Sequence, residues 1–445
     1  MTIDELKVVL QDAGVVGAGG AGFPSYAKLD ERADTILLNC AECEPLLMLH
    51  RQCLKVHAEE ILKAFELVRE TVHAKEGIIG IKAEYEATIR ALEEYIDKYP
   101  SLSIHKLSSS YPMGDEVVLI YEATGKTVRP GGLPIEQGVA VFNVETMYNI
   151  YRAVFENHPV TDKLVTLVGE VSDPVTVRVP LGTSLRETVS MAGSLTTKDP
   201  VYFVGGPMMG RIQDENASVT KTTNAILVLP KDHKLILKKK TEPSAGLKRA
   251  ASICCQCQMC TDLCPRHALG HPIEPHLFMR AAANRDFTDL HPFLNTFFCS
   301  GCGLCEHYSC PQGLQPRTLI TEYKNGLRKN GVKAPSDVEI GRVSPARDGR
   351  KAPESRLAAR LGVTKYEKEA PLDDAVRRVR KVKVLLSQHI GAPAAACVQA
   401  GEYVNTGDAV ALPPEKALSV RIHAPVSGRV MEVTDQYVMI NGGAD

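Results

Sequence analysis

Hydrophobic positions along the first part of the chain switch repeatedly between helical and strand-like spacing. Ile3, Leu6, Val9 and Leu10 recur at helical intervals, and Thr2 can cap the helix they predict over Thr2–Ala13. A short apolar strand follows at 34–39, then a long helical pattern over 47–74, a strand at 76–82 and a helix at 84–98. A third strand is predicted at 103–107, and a helix opens near Tyr111–Glu116 and ends at Gly125. A further strand and helix occupy 139–143 and 145–157. Strands alternating with helices predict an α/β domain on a parallel sheet.

From Thr161 the pattern changes. Leu164–Val171 and Pro174–Val179 are strand-like, a helix is predicted over 184–192, and another strand begins at Tyr202. Basic residues between Lys231 and Arg249, including Lys238-Lys239-Lys240, predict a solvated tether. Residues 272–295 read as a helical connector and 315–330 as a helix. The Pro- and charge-rich stretch from Gly331 reads as an extended connection. Short strands return over 382–440, with turns at Gly391, Gly401, Thr406-Gly407-Asp408, Pro413-Pro414 and Gly428. The expected division is 1–158, 161–230, 250–330, a linker at 331–381, and 382–445.

Composition narrows the function classes. A length of 445 residues suits about three domains. A net charge of −1 gives no whole-chain reason for binding nucleic acid or an anionic membrane. With no Trp and only 5% aromatic residues, stacking surfaces for single strands are not expected. No apolar run reaches the roughly 20 residues of a membrane span. Met1–Gly14 reads as an amphipathic helix rather than a signal peptide, which together with unpaired cysteines predicts a reducing cytoplasm.

Nine of the 13 cysteines lie between Ile253 and Pro311. They form Cys254-x2-Cys257-x2-Cys260-x3-Cys264-Pro265 and Cys299-x2-Cys302-x2-Cys305-x4-Cys310-Pro311, with Cys255 as a surplus bystander. Zinc sites usually show paired rather than triple runs, and a disulfide framework does not suit a chain of this size without a secretory signal. The first run resembles the bacterial ferredoxin signature, including its proline. In two-cluster ferredoxins the last cysteine of each run serves the other cluster. The resemblance therefore implies two [4Fe-4S] clusters, one on Cys254, Cys257, Cys260 and Cys310, the other on Cys299, Cys302, Cys305 and Cys264. The x4 spacing across Glu306–Ser309 departs from the pattern and predicts a one-residue bulge.

Five glycines fall within Gly14–Gly22. Such a loop lets backbone N–H groups approach a phosphate or a flat ring, although alone it is a weak signal, a tight loop without a ligand being the lesser alternative. The strand after it ends in Asn39-Cys40-Ala41-Glu42-Cys43-Glu44-Pro45, and acidic groups at a strand's carboxyl end suit a nucleotide site. Gly17 to Lys28 resembles the flavin loop of the NADH-oxidising subunit of respiratory complex I and of the RnfC component of the Rnf electron-transport complex. Asn39-x2-Glu42-x-Glu44-Pro45, Tyr111-x2-Gly114-Asp115-Glu116 and Asn143-Val-Glu145-Thr146 follow in that family's order.

The resemblance implies a Rossmann-like domain with FMN held by Gly17, Gly19, Lys28, Asn39, Glu42, Tyr111, Gly114, Asp115, Asn143 and Thr146. It implies NADH stacked on the flavin beside Gly20, Ala21, Phe23, Glu44 and Glu116. Ala41 stands where the complex I subunit has aspartate and Phe142 where it has asparagine, so a dissociable FMN is expected. Cys40-x2-Cys43 could be a redox or metal pair, but it lies inside the flavin motif and lacks a partner pair.

The strands around one helix in 161–230 look like the β-grasp (SLBB) domain of the same family, read here as a packing module. Val404–Val410 and Ile422–Val430 resemble a barrel-sandwich hybrid of the lipoyl and biotinyl type. Lys416 lies near the hairpin where a lipoyl lysine would sit, but the flanking Pro413-Pro414 turn and an electron chain that does not need it argue against lipoylation. RnfC has this module at its N-terminus, whereas here it comes last. That order, with Leu263-Cys-Pro-Arg266, Gly270-His271, Pro275-His276, the x4 spacing and Gln388–Ala392, resembles the cobalamin reductases of propanediol-utilisation microcompartments.

This resemblance implies that electrons pass from NADH through FMN and the clusters to cob(III)alamin, recycling the cofactor of a diol dehydratase, with no side chain needed as acid or base. It also implies a place within or at a microcompartment shell, with shell proteins and an adenosyltransferase as partners. Two alternatives stay open: an Rnf-type protein feeding a ferredoxin or membrane partner, and a cluster-bearing scaffold that conducts electrons across a shell without NADH.

Overall fold

The structure, a computed structural model, describes residues 1–443. Four parallel strands form the first sheet, in the order Leu102–Leu107, Glu76–Lys82, Thr35–Cys40, Val139–Asn143. The two central strands are apolar and almost wholly buried, as expected when helices cover both faces. The helical pattern over 47–74 becomes two helices, Leu49–Val56 and Ala58–Thr71, broken at His57. The His57 ring stacks on Tyr148 and bonds the Asp374 carboxylate at 2.8 Å, a tertiary contact that overrides local helical spacing. The pattern over 84–98 shortens to Glu86–Glu93 plus a 3₁₀ turn, Ile96–Lys98. Asp115 caps the helix Glu116–Thr124 by accepting from Val117 and Val118 N–H, and Gly125 ends it with φ +72°.

The second sheet has six strands, ordered Leu372–Val376, Val175–Pro180, Asp162–Gly169, Ala225–Pro230, Pro200–Val204, Arg211–Gln213. Its outer strand, Leu372–Val376, comes from the stretch expected to be an extended connection. In that same stretch Ala352–Pro353 pairs with Ser110–Tyr111 and leads into the helix Glu354–Leu361. Glu354 pairs with the fully buried Lys82, and Asp374 takes the Arg178 guanidinium at 2.6 Å. Residues 352–376 are therefore a strap across the first two domains, held by buried charges that would be costly to leave unpaired.

The expected tether is also structured, as helices Lys234–Lys239 and Pro243–Ile253. Lys238 donates to the Glu306 carbonyl at 2.6 Å, and Lys239 to the carbonyls of Met208 and Gly210 at 3.1 and 3.0 Å. Their aliphatic stems cover apolar surface while the ammonium groups find carbonyls.

The cysteine region packs short helices, Met259–Asp262, Pro265–Ala268, Pro275–Asn284 and Pro316–Lys329, around Phe278, Phe293, Leu319 and Ile320. At the C-terminus two small antiparallel sheets enclose Val382, Val384, Val410, Ile422, Val430, Val438 and Ile440. The described residues thus comprise α/β, β-grasp, cysteine-rich and barrel-sandwich units.

Candidate cofactor sites

A cavity of about 480 Å³ opens at the carboxyl end of the first sheet, within the size range of cofactor sites. All fifteen residues expected to contact FMN or NADH line it. Gly20 and Gly22 have φ of +62° and +68°. A Cβ on Gly20 would meet nothing within 4 Å, whereas one on Gly22 would approach Thr222 to 2.9 Å. The loop is anchored by Thr146, whose hydroxyl accepts from Ala18 N–H at 2.8 Å. Opposite, Asn39 accepts from Ala41 N–H at 3.1 Å and donates to the Gly114 carbonyl at 3.0 Å. A Cβ on Gly114 would lie 2.5 Å from the Ala41 carbonyl oxygen, so only glycine permits this approach. Lys28 donates to the Val141 carbonyl at 2.9 Å and lies 3.4 Å from Glu116, presenting a cation at the wall. Ala41 and Phe142, the two departures from the complex I pattern, line the same space.

Several predicted residues carry structural duties as well. Glu42 accepts from His50 and Arg51 N–H at 3.0 and 3.3 Å, at the start of the helix Leu49–Val56. Glu44 accepts from Met208 and Met209 N–H, each at 2.8 Å, which ties the β-grasp domain to the cavity rim. Burial pushes the Glu44 carboxyl up to about 7, with those two N–H bonds opposing. Asn143 caps the helix Val144–Phe155, and its amide nitrogen lies 3.1 Å from the His50 ring. Asp115, besides its cap, accepts from Arg266 at 3.0 Å.

The cavity also includes His50, Met209, Asn224 and Ser300, which sequence reasoning missed, and Cys302, which it assigned only to a cluster. Met209 follows the Gly205–Met208 turn of the β-grasp domain, a signal available in the sequence. His50 and Asn224 carried none.

The eight predicted cluster cysteines fall into two groups of four. Cys254, Cys257, Cys260 and Cys310 surround one small cavity, and Cys264, Cys299, Cys302 and Cys305 another. Each group takes its fourth member from the other run. Among the described residues no three His, Cys, Asp or Glu side chains converge on a single-ion point. The extra residue before Cys310 is absorbed in a π-helical turn, Cys305–Ser309. Burial, with neighbouring thiols adding to it, pushes Cys260 up to about 12, and burial pushes Cys264 to about 12. Such thiols ionise when a cationic centre takes the thiolate. The four expected cysteines around each cavity fit a four-iron cluster, with Cys255 also bordering the first. The open glycine loop, Lys28 and the buried, unpartnered Asn224 Oδ1 fit a flavin nucleotide.

The two kinds of site touch. The Tyr111 hydroxyl donates to the Cys302 carbonyl at 2.6 Å, and both residues line the larger cavity.

Four family matches cover most of the chain. The Nuo51 FMN-binding domain matches residues 10–152, the SLBB domain 164–212, a 4Fe-4S dicluster domain 253–315, and the RnfC barrel sandwich hybrid domain 363–445. The last begins before the strand Leu372–Val376, inside the expected linker. Together they define a flavin and iron–sulfur electron-transfer protein. The cobalamin reductase PduS of Citrobacter freundii is 40% identical over 97% of this chain and 95% of its own length. That of Salmonella typhimurium is 40% identical over 100% of this chain and 98% of its own. The C component of the Na(+)-translocating ferredoxin:NAD(+) oxidoreductase complex of Acetobacterium woodii is 31% identical over 60% of this chain and 59% of its own length. The chain belongs to the PduS cobalamin reductase family. No helix among the described residues is long and apolar enough to cross a membrane.

Proposed function

We propose that this protein is an NADH-dependent cobalamin reductase carrying FMN and two [4Fe-4S] clusters, with cob(III)alamin as acceptor. The observation that carries the reading is the shared wall between the glycine-lined cavity and the Cys302 side of the second cysteine group, in a chain related to cobalamin reductases along its whole length. When bound, FMN supplies a two-electron acceptor that can release electrons singly, and the clusters supply one-electron carriers.

The chain's own residues do the positioning. Gly17, Gly19, Lys28, Asn39, Glu42, Tyr111, Gly114, Asp115, Asn143 and Thr146 form the FMN cradle. Lys28 offers the charge for a phosphate, and the glycines offer N–H groups. Gly20, Ala21, Phe23, Glu44 and Glu116 lie on the nicotinamide side. There, carboxylates suit ribose hydroxyls and disfavour a 2′-phosphate. Tyr111 and the Asp115–Arg266 pair fix the seam to the Cys264, Cys299, Cys302, Cys305 group. Cys254, Cys257, Cys260 and Cys310 would hold the other cluster; Cys257 is exposed, which supports delivery of electrons to an outside acceptor at that end.

The same kinship supports a cytoplasmic place within or at a microcompartment shell, with shell proteins and an adenosyltransferase as neighbours. The test is anaerobic reconstitution with iron, sulfide and FMN, followed by NADH-driven reduction of cob(III)alamin read by absorbance. Conversion to cob(II)alamin that disappears without FMN is the expected result. Bleaching of flavin and clusters with cobalamin untouched would overturn the acceptor, and no bleaching by NADH would overturn the donor.

A further inference from the structure

The β-grasp domain reads from the sequence as packing, yet it sends Met209 and Asn224 to the wall of the flavin cavity. Asn224 is held firmly. Its carbonyl accepts from Thr166 N–H at 2.9 Å as the strand Ala225–Pro230 begins. In the turn before it, Thr220 N–H donates to the Thr223 hydroxyl at 3.0 Å. Lys221 pins that turn outward on both sides. Its buried ammonium donates to the Gly14 carbonyl at 2.6 Å, and its N–H donates to the Gln388 side chain at 3.1 Å. Three domains therefore fix where the Asn224 carboxamide stands.

That carboxamide faces the glycine loop: a Cβ on Gly19 would lie 3.1 Å from Asn224 Nδ2. Its oxygen is buried and has no hydrogen-bond partner. A buried amide oxygen without a donor is costly, and such groups in folded proteins are as a rule satisfied by a neighbour, water or ligand. The side chain offers an acceptor and a donor side by side. We infer that Asn224 is a ligand-binding residue that pairs with an amide edge, an N–H beside a C=O, of the molecule in this cavity. Both the isoalloxazine ring and the nicotinamide carboxamide carry such an edge. The inference rests on the flavin and NADH reading above and makes the β-grasp domain part of the binding site.

The test uses full-length reconstituted protein with Asn224→Ala and Asn224→Asp, the latter nearly isosteric but lacking the N–H donor. FMN affinity is read by flavin fluorescence. NADH affinity is read from KM against kcat with ferricyanide, and circular dichroism and iron content verify folding. At least a tenfold loss for one ligand is expected. If the edge belongs to flavin, the FMN Kd rises and the NADH KM of FMN-saturated enzyme stays constant. If it belongs to nicotinamide, the NADH KM rises at unchanged FMN affinity, while the reduced form of 3-acetylpyridine adenine dinucleotide, which lacks the amide N–H, loses less as donor. Unchanged affinities for both ligands in either folded variant would overturn the inference. Wild-type protein that binds no FMN would instead defeat the parent reading.

Discussion

Glu145 belongs to the flavin motif by sequence, but its carboxylate turns away from the cavity to meet Lys163 at the seam with the β-grasp domain. The side chains are 1% and 2% exposed. Glu145 also accepts from Leu164 N–H at 2.9 Å, and Lys163 donates to the Leu164 carbonyl at 3.0 Å. Glu145→Gln keeps the shape and an acceptor for Leu164 but leaves the ammonium without its counter-charge. Removing one partner of a buried pair costs ~3–5 kcal/mol. The cost is capped, because Lys163 can shed its proton. For a lysine of ordinary pKa ~10.4 this takes about 4 kcal/mol at pH 7.5, so the expected loss is about 3–4 kcal/mol.

Burial already lowers the Lys163 pKa, against the pull of Glu145. Without Glu145 the folded-state pKa falls further. The unfolded chain then binds more protons, and stability rises with pH. The deficit of the variant should therefore shrink above pH 7.5 by up to about 1.4 kcal/mol per pH unit, over the range in which the wild-type Lys163 keeps its proton. Because the chain has no Trp, urea midpoints are best followed by far-ultraviolet circular dichroism at pH 7.5 and 9.5. Glu145→Leu with Lys163→Met should recover most of the loss, since an apolar pair can replace a buried ion pair. A variant within 1 kcal/mol of wild type at pH 7.5, or a deficit indifferent to pH, would refute the reasoning.

Three further outcomes are expected. Cys310→Ser should abolish the cluster of Cys254, Cys257 and Cys260, while Cys264→Ser abolishes the other. Each would lose about half of the reconstituted iron, with complementary electron paramagnetic resonance spectra. Gly114→Ala should cost ~1–3 kcal/mol by overpacking, because its Cβ would meet the Ala41 carbonyl at 2.5 Å; weaker FMN retention in a fluorescence titration should accompany the loss. Glu44 has its folded pKa raised to about 7, so its stability contribution is complete below the unfolded value near 4.5 and fades as pH rises through 7. Urea midpoints of wild type relative to Glu44→Gln should accordingly fall between pH 5 and pH 8.

The cysteine spacing, the glycine loop and the alternation of strands and helices made the cofactor chemistry legible in the sequence. These signals are local: x2 spacing shapes a turn, and a parallel sheet gathers strand-end residues at one edge. That is why fifteen residues scattered from Gly17 to Thr146 meet in one cavity. Even the bulge before Cys310 could be read from one surplus residue.

Partners distant in sequence could not be read that way. The strap of 352–376 looks polar and extended because its order comes from Lys82, Arg178 and His57, hundreds of residues away. The Lys238-Lys239 run looks solvated until its ammonium groups reach the carbonyls of Glu306, Met208 and Gly210. A motif specifies that Glu44 and Glu145 are carboxylates. Only the tertiary structure decides that one docks the Met208–Met209 turn and the other neutralises Lys163, since a buried charge must take whichever donor the packed chain brings to it.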